Sequence, residues 1–97
     1  MTFKLRFTPT ASTALTELST PGNRARLRKV QSALGRLELD PRYPSLNSHK
    51  YHSIHGVNGE EIWESYVENA TPSAWRIFWH YGPGADTISV VSITPHP

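Results

Sequence analysis

The chain has 97 residues, among them ten lysines and arginines, eight aspartates and glutamates, and no cysteine. A chain of this length forms one domain with a single modest core, so one surface or one cleft must carry its function. The absence of cysteine excludes disulfides, thiolate nucleophiles and cysteine-based metal sites, which leaves histidine and carboxylate chemistry.

The sequence carries no signal for a membrane or for export. No stretch approaches the roughly 20 consecutive apolar residues of a transmembrane helix. The N-terminal segment Met1–Thr13 lacks the apolar centre of a signal peptide. We therefore expect one cytoplasmic domain over residues 1–97, with no membrane contact.

The first half of the chain predicts a strand followed by two helices. Residues 2–7 alternate between apolar and polar side chains, which is typical of a half-buried strand. A short helix begins near Pro9, and the Thr-Pro-Gly sequence at residues 20–22 ends it. A longer helix runs from Asn23, as the N-cap, to about Leu39. Its apolar residues recur at helical spacing, at Leu27, Val30, Leu34 and Leu37.

The longer helix has a basic outer side. Five of the ten cations lie between Arg24 and Arg36, although the net charge is only +2. Arg28 and Lys29 fall opposite the apolar stripe, as does Arg36, and Arg24 flanks it. Such a surface permits contact with nucleic acid phosphates or with an acidic protein, but charge alone fits a solvated helix face equally well.

The second half predicts a polar loop and three strands. Pro41 and Pro44 end the helix, and the histidine-rich segment at residues 45–59 has the composition of a loop. Strand patterns follow at Glu61–Val67, Ala74–Tyr81 and Thr87–Ile93. The predicted fold class is therefore α+β, with two helices packed on one face of a small, mainly antiparallel four-stranded sheet.

The last two predicted strands bring an arginine and a histidine together. In an antiparallel hairpin the start of one strand lies beside the end of the next, so Arg76 and His96 come to the same edge of the sheet. Alternation directs Trp79 towards the helices and Arg76 towards the opposite, open face. His80 shares that open face but lies near the turn, at the far end of the strand.

These residues also have simpler structural interpretations. An arginine on a strand is more often ion-paired or solvated than catalytic, and a histidine near the C-terminus is often part of a tail. His49, His52 and His55 recur at every third residue, but the segment is neither helical nor flanked by spaced carboxylates. We therefore predict no metal site and no cofactor.

Four stretches of the chain carry a family resemblance: FKLRFTPTASTALTEL, RLRKVQSALGRLELDPRYPSL, WRIFWHY and ISVVSITPHP. In order and spacing they resemble the RelE/ParE superfamily of bacterial toxins from type II toxin–antitoxin systems. They are similar to that family's first strand and helix, its second helix and exit, its arginine strand and its closing strand. The histidine near the end of the chain resembles the YoeB-like branch most.

The resemblance implies a ribosome-dependent mRNA endonuclease that works without a metal ion. It implies that Arg76 stabilises the scissile phosphate and that His96 is the general acid. These roles suit a permanent forked cation and a side chain that transfers protons near neutral pH. We predict Glu64 and His52 as the remaining catalytic residues. The general base stays open among Lys50, His52, His55, Glu61 and Glu64.

The resemblance also implies partners. The predicted RNA-binding residues are Arg24, Arg28, Lys29, Arg36 and Lys50, which would contact the ribosome and mRNA. A cognate antitoxin is expected to cover the helix pair and the open face of the sheet. Two alternatives remain at this point: a ParE-like inhibitor of DNA gyrase, and an inactive family member that only binds a partner.

Overall fold

A computed structural model describes residues 2–96 of the chain. The strands are β1 (Lys4–Phe7), β2 (His49–His55), β3 (Glu61–Tyr66), β4 (Trp75–Tyr81) and β5 (Thr87–Pro95). The helices are α1 (Pro9–Leu18) and α2 (Arg24–Leu39), and short 3-10 helices lie at Pro21–Asn23 and Pro44–Leu46. None of the helices within residues 2–96 is long and apolar enough to cross a membrane.

Both α-helices start and stop at the predicted signals. α1 begins after Thr8, whose hydroxyl oxygen accepts a hydrogen bond from the amide of Ala11 at 3.2 Å. α2 begins directly after Asn23, as predicted. It ends where Asp40 adopts an extended conformation, one residue before the first proline of the exit.

The sheet has five strands in the order β1-β5-β4-β3-β2. β1 pairs with β5 in parallel, whereas the other three pairings are antiparallel. The fold is therefore α+β, as predicted, but the sheet is mixed and five-stranded. The prediction of four strands was wrong because β2 lies in the segment that we interpreted as a loop.

β2 is an edge strand, which explains why its sequence has no strand pattern. All but one of its seven residues are exposed, so neither face had to be apolar. Its pairing with β3 is interrupted by an irregularity between Lys50 and His55. A strand that buries little surface leaves little trace in the hydrophobic pattern.

Both α-helices pack on one face of the sheet and form the core with it. Ile77 and Trp79 of β4 are fully buried there, together with Ile88 and Val90 of β5. The indole of Trp79 donates a hydrogen bond to the Ser65 hydroxyl at 2.8 Å, so its single polar group is satisfied in the core. The predicted helix-facing side of β4 is thus confirmed.

The opposite face of β4 is less open than predicted. Arg76 and His80 are each 8% exposed, and Phe78 between them is 3% exposed. The ring of Tyr51, from β2, meets the ring of Phe78 edge-on with centroids 5.0 Å apart. The edge strand that the sequence did not reveal therefore covers part of this face.

Candidate active site

Strand register brings the predicted arginine and histidine to one end of the sheet. Arg76 on β4 is paired with Tyr66 on β3 and with Thr94 on β5. The amide of His96 donates to the carbonyl of Ala74 at 2.8 Å, which continues the β4–β5 ladder by one residue beyond β5. Because side chains alternate along a strand, His96 lies on the same face as Thr94 and Arg76.

Glu64 lies at the centre of this end of the sheet and is only 2% exposed. Its Oε1 lies 2.7 Å from Nε2 of His49. Its Oε2 lies 3.5 Å from Nε2 of His96 and 3.7 Å from Nε of Arg76. We call these four residues the Glu64 cluster. The cluster joins β2, β3, β4 and the residue after β5.

The guanidinium of Arg76 is held in a fixed orientation. Its Nη1 donates to the carbonyl of Glu68 at 2.5 Å and to that of Trp75 at 3.2 Å. Its Cζ lies 3.8 Å from the ring centroid of Tyr66, within the range of a cation–π contact. Nε is buried beside Glu64 and has no hydrogen-bond partner within residues 2–96. Nη2 also makes no hydrogen bond there, so we expect a ligand to bind at Nη2.

His49 is the member of the cluster that the sequence did not reveal. Its Nδ1 lies 2.8 Å from the carbonyl oxygen of Asn47, which can only accept, so Nδ1 carries a proton. Its Nε2 faces the carboxylate of Glu64, an arrangement that a doubly protonated imidazolium satisfies. The available signal was the Asn58-Gly59 pair, typical of a hairpin turn, which would have paired the histidine segment with β3.

Two predicted residues do not join the cluster. Lys50 pairs in register with Trp63 on the other face of the sheet, and its Nζ lies 3.1 Å from a carboxylate oxygen of Glu61. His52 is exposed on β2 and makes no hydrogen bond or ion pair within the described part of the chain. Neither residue lies beside Glu64, and their predicted roles stay predictions.

The histidines of β2 do not form a metal site. In residues 2–96 no group of three or more histidine, aspartate or glutamate side chains has the arrangement to hold a metal ion. His49 instead uses one ring nitrogen for a carbonyl and the other for a carboxylate.

Glu68 joins the basic side of α2 to the strand that carries Arg76. Its Oε2 lies 3.5 Å from Nε of Arg26 and 3.6 Å from Nζ of Lys29. Its Oε1 accepts a hydrogen bond from the amide of Trp75 at 3.1 Å, and its carbonyl binds Arg76. The first turns of α2 therefore lie beside the Arg76 end of the sheet.

The other predicted cations of α2 divide into two groups. Arg24 and Arg28 are exposed and make no ion pair within residues 2–96. Arg36 lies in the last turn of α2, where its Cζ is 5.6 Å from the ring centroid of Tyr43. Most of the exposed positive charge of α2 is thus in its first two turns.

The chemistry available at the Glu64 cluster is that of charge neutralisation and proton transfer. Arg76 presents a permanent cation in a fixed orientation, which suits a phosphate whose negative charge increases during reaction. His96 has 45% of its side chain exposed, so it can reach a bound group. The buried carboxylate of Glu64 is positioned to hold these side chains together.

The fold matches several solved structures at low sequence identity. A YoeB/ParE toxin from Agrobacterium tumefaciens aligns with a TM-score of 0.72 and 10% identity, over 98% of this chain and all of the other. A chain of the RelE–RelB complex from Pyrococcus horikoshii aligns with a TM-score of 0.67 and 16% identity, over 98% and 96% of the two chains. A chain of the Escherichia coli DinJ–YafQ complex aligns with a TM-score of 0.61 and 13% identity, over 99% and 94%.

No protein-family model matches the sequence, and no similar sequence is found among curated proteins. At these identities the structural likenesses establish the fold. The chain has the fold of the RelE, YoeB, ParE and YafQ toxins, which confirms the resemblance predicted from the four sequence stretches.

Proposed function

We propose that this protein is the toxin of a type II toxin–antitoxin system and that it cleaves mRNA on the ribosome without a metal ion. The fold of this chain, which it shares with RelE, YoeB and YafQ, supports the proposal. The observation that carries the proposal is the convergence of Arg76 and His96 on Glu64, within 3.7 Å of one carboxylate oxygen.

In the proposed reaction a general base takes the proton of a ribose 2′-hydroxyl, the 2′-oxygen attacks the adjacent phosphorus, and the bond from phosphorus to the 5′-oxygen breaks. The products are a 2′,3′-cyclic phosphate and a free 5′-hydroxyl. Arg76 binds the non-bridging oxygens through Nη2 and offsets the charge that develops on the phosphorane. His96 gives its proton to the departing 5′-oxygen.

Glu64 serves in this proposal to hold Arg76 and His96 in place. Its Oε2 is buried beneath them and has no hydrogen-bond partner within residues 2–96. A direct role for Glu64 as the general base requires substrate binding to expose that oxygen, and it stays a prediction. If Glu64 is the base, cleavage by Glu64→Gln loses the acid limb of its pH–rate profile, whereas a positioning role keeps that limb.

The exposed cations at the start of α2 are the proposed contacts to ribosomal RNA. Arg24 and Arg28 extend into solvent, and Lys29 is 60% exposed despite its contact with Glu68. Arg36 contributes less in this proposal because it lies in the last turn of α2, and Lys50 because it lies on the other face of the sheet from Arg76. The proposed protein partner is an antitoxin. Three of the solved structures with this fold support it, because they are complexes with RelB, YefM or DinJ.

The decisive experiment adds purified protein to a translating cytoplasmic extract and maps mRNA ends by primer extension. We expect truncated mRNA with the wild type and a rate about 10²–10⁴ lower with His96→Ala, because a general acid supplies a factor of that size. The matched control is His55→Ala, because His55 is exposed at the end of β2, pairs with Glu61 and makes none of the contacts of the Glu64 cluster. Equal cleavage by His96→Ala contradicts the proposed role.

A supercoiling assay with purified DNA gyrase separates the proposal from the ParE-like alternative. Loss of supercoiling in the absence of ribosomes, together with intact mRNA in the extract, supports gyrase inhibition. If the protein neither cleaves mRNA nor inhibits gyrase, the result supports an inactive protein that only binds a partner.

A further inference from the structure

Two buried atoms of the Glu64 cluster lie close together without a hydrogen bond. Nε of Arg76 and Oε2 of Glu64 are 3.7 Å apart, and neither has a hydrogen-bond partner within residues 2–96. Both side chains are buried, with 8% of Arg76 and 2% of Glu64 exposed. A buried donor and a buried acceptor that face each other at this distance would gain by moving together. Other contacts must therefore keep the two atoms apart.

The product of such a movement would be a bidentate ion pair. In arginine, Nε and Nη2 lie on the same side of the guanidinium and match the two oxygens of a carboxylate. Nη1 of Arg76 is already bound to two backbone carbonyls, so the side that faces Glu64 is the one with open nitrogens. A bidentate pair with Glu64 would therefore use Nη2, the nitrogen at which we expect a ligand to bind.

His49 binds the carboxylate oxygen that this bidentate pair requires. Its Nε2 lies 2.7 Å from Oε1 of Glu64. The contacts of Glu64 with Arg76 and His96 are longer, at 3.7 and 3.5 Å, and both are made by Oε2. The short contact to β2 fixes the rotation of the carboxylate, so that Oε2 alone faces the guanidinium.

A proton lies between His49 and Glu64. Nδ1 of His49 donates to the carbonyl of Asn47 at 2.8 Å, so a neutral ring would present a lone pair at Nε2. A lone pair cannot face a carboxylate oxygen at 2.7 Å, and a proton must therefore join the two atoms. The nearby cation of Arg76 favours the ionised carboxylate, which leaves this proton on His49.

A chain of hydrogen bonds fixes the start of β2, which carries His49. The indole of Trp79 donates to Ser65, whose hydroxyl lies 2.7 Å from that of Ser48. The Ser48 hydroxyl donates to a backbone carbonyl at 2.6 Å, so Ser65 is the donor between the two serines. These serines are the sequence neighbours of His49 and Glu64, and the chain therefore fixes the register in which those two residues pair.

We propose that His49 is a positioning residue that holds Glu64 by Oε1 and thereby keeps Nη2 of Arg76 open for the scissile phosphate. His49 does not contact the phosphate, because it acts through Glu64. Without His49, Glu64 and Arg76 close into a bidentate pair, and Nη2 no longer offsets the charge that develops on the phosphorane. The inference rests on the proposed function, because it takes the ligand of Arg76 to be an RNA phosphate.

The first test is a double-mutant cycle on the rate of mRNA cleavage with purified ribosomes. We expect His49→Ala to lower the maximum rate about 10²-fold, as a misplaced catalytic group does, with the half-saturating ribosome concentration unchanged. His49→Gln keeps a donor towards Glu64 and should retain most of the rate. In the Glu64→Gln background His49→Ala should cause no further loss, because the carboxylate that His49 holds is absent.

The second test needs no substrate and follows the Nε–H proton of Arg76 by NMR in the free protein. His49→Ala should move this resonance downfield, because Nε then donates to the Glu64 carboxylate. His49→Gln should leave it in place. The matched control is His55→Ala, since His55 is exposed on the same strand and makes none of the contacts of the Glu64 cluster. Urea midpoints verify that each variant is folded.

Equal losses of rate from His49→Ala in the wild-type and Glu64→Gln backgrounds overturn the proposal. So does an Arg76 resonance that His49→Ala leaves in place, or a loss in His49→Gln as large as that in His49→Ala. If the wild type does not cleave mRNA, the proposed function fails. The NMR comparison then decides by itself whether His49 keeps Nη2 open.

Discussion

At the scale of single residues, Glu64 determines the state of the site. A buried carboxylate is costly unless cations or donors surround it, and here His49, Arg76 and His96 supply them from three directions. The same contacts fix the guanidinium and the two imidazole rings around one carboxylate. The carboxylate and the positive groups are therefore interdependent.

We predict that Glu64→Gln destabilises the fold and lowers activity together. The amide keeps the size of the side chain but removes the charge that offsets Arg76 and the two histidines. The expected loss of unfolding free energy is about 1–3 kcal/mol, the cost of leaving buried polar groups poorly paired. Urea denaturation at pH 7 measures it. Glu61→Gln is the matched control, because its carboxylate is exposed and pairs with Lys50. A variant as stable as the wild type contradicts the interdependence.

Residue chemistry and strand alternation were sufficient to predict part of the site. An arginine near the start of one strand and a histidine after the next must meet if the strands pair antiparallel, so the convergence of Arg76 and His96 was predictable. Glu64 was one of five candidates for the general base, and its place beside Arg76 depends on the β3–β4 register. His49 was missed because its role depends on the register of β2, and an exposed edge strand carries no pattern that sets a register.

At the scale of elements, the β2–β3 hairpin holds His49 against Glu64. Its loop is tied by the amide of Gly56 donating to the carbonyl of Glu60 at 2.9 Å, and by the amide of Asn58 donating to the Glu60 carboxylate. A side chain at position 56 would displace that carboxylate from the Asn58 amide. Glycine at this position therefore leaves room for the contact.

The carboxylate of Glu60 makes hairpin stability depend on pH. Hydrogen bonds from its own amide and from the amide of Asn58 lower the pKa of Glu60 below its usual 4.5, and His80 lowers it further. A depressed carboxyl pKa adds stability that is complete above the unfolded value and is lost as the pH falls through the folded value. The contribution is therefore present at pH 7 and is lost as the pH falls from 4.5 through the lowered pKa of Glu60.

We predict that wild type and Glu60→Gln differ in stability at pH 7 and converge as the pH falls below about 4. Urea midpoints measured at a series of pH values check this. Glu17→Gln, which removes an exposed carboxylate from α1, gives the general effect of one lost negative charge. A constant difference between wild type and Glu60→Gln down to pH 2.5, beyond that of the control, would count against the assigned contacts.

Helices and strands that bury one face in the core could be predicted from the hydrophobic pattern. The exposed edge strand could not. α2 and β4 show clear periodicity because each packs one side on the core. The parallel pairing of β1 with β5 leaves no sequence signal, because alternation fits a parallel and an antiparallel neighbour equally. Because β2 was not predicted as a strand, the contact of its Tyr51 with Phe78 was not predicted either.

At the scale of the whole molecule, the two faces of the sheet have different tasks. One face is closed by α1 and α2 around the core, and the other carries the Glu64 cluster. The exposed cations at the start of α2 lie at the edge between them, next to Glu68. A partner that blocks the proposed activity therefore needs negative charge over this edge and enough length to cover the cluster.

We predict that expression of the chain alone arrests growth and that co-expression with its antitoxin, a small acidic protein from an adjacent reading frame, restores it. His96→Ala should relieve the arrest without the partner, because it removes the proposed acid, and His55→Ala should not.

The purified pair should melt about 10 °C or more above the free chain at a partner concentration 100 times Kd, since binding adds about 2.7 kcal/mol to a domain of this size. Replacing both Arg24 and Arg28 with glutamate should weaken the pair by reversing the exposed charge at the edge. Undiminished growth with the wild-type chain alone supports an inactive binding protein, whereas arrest that persists in His96→Ala supports a toxin that acts without cleavage.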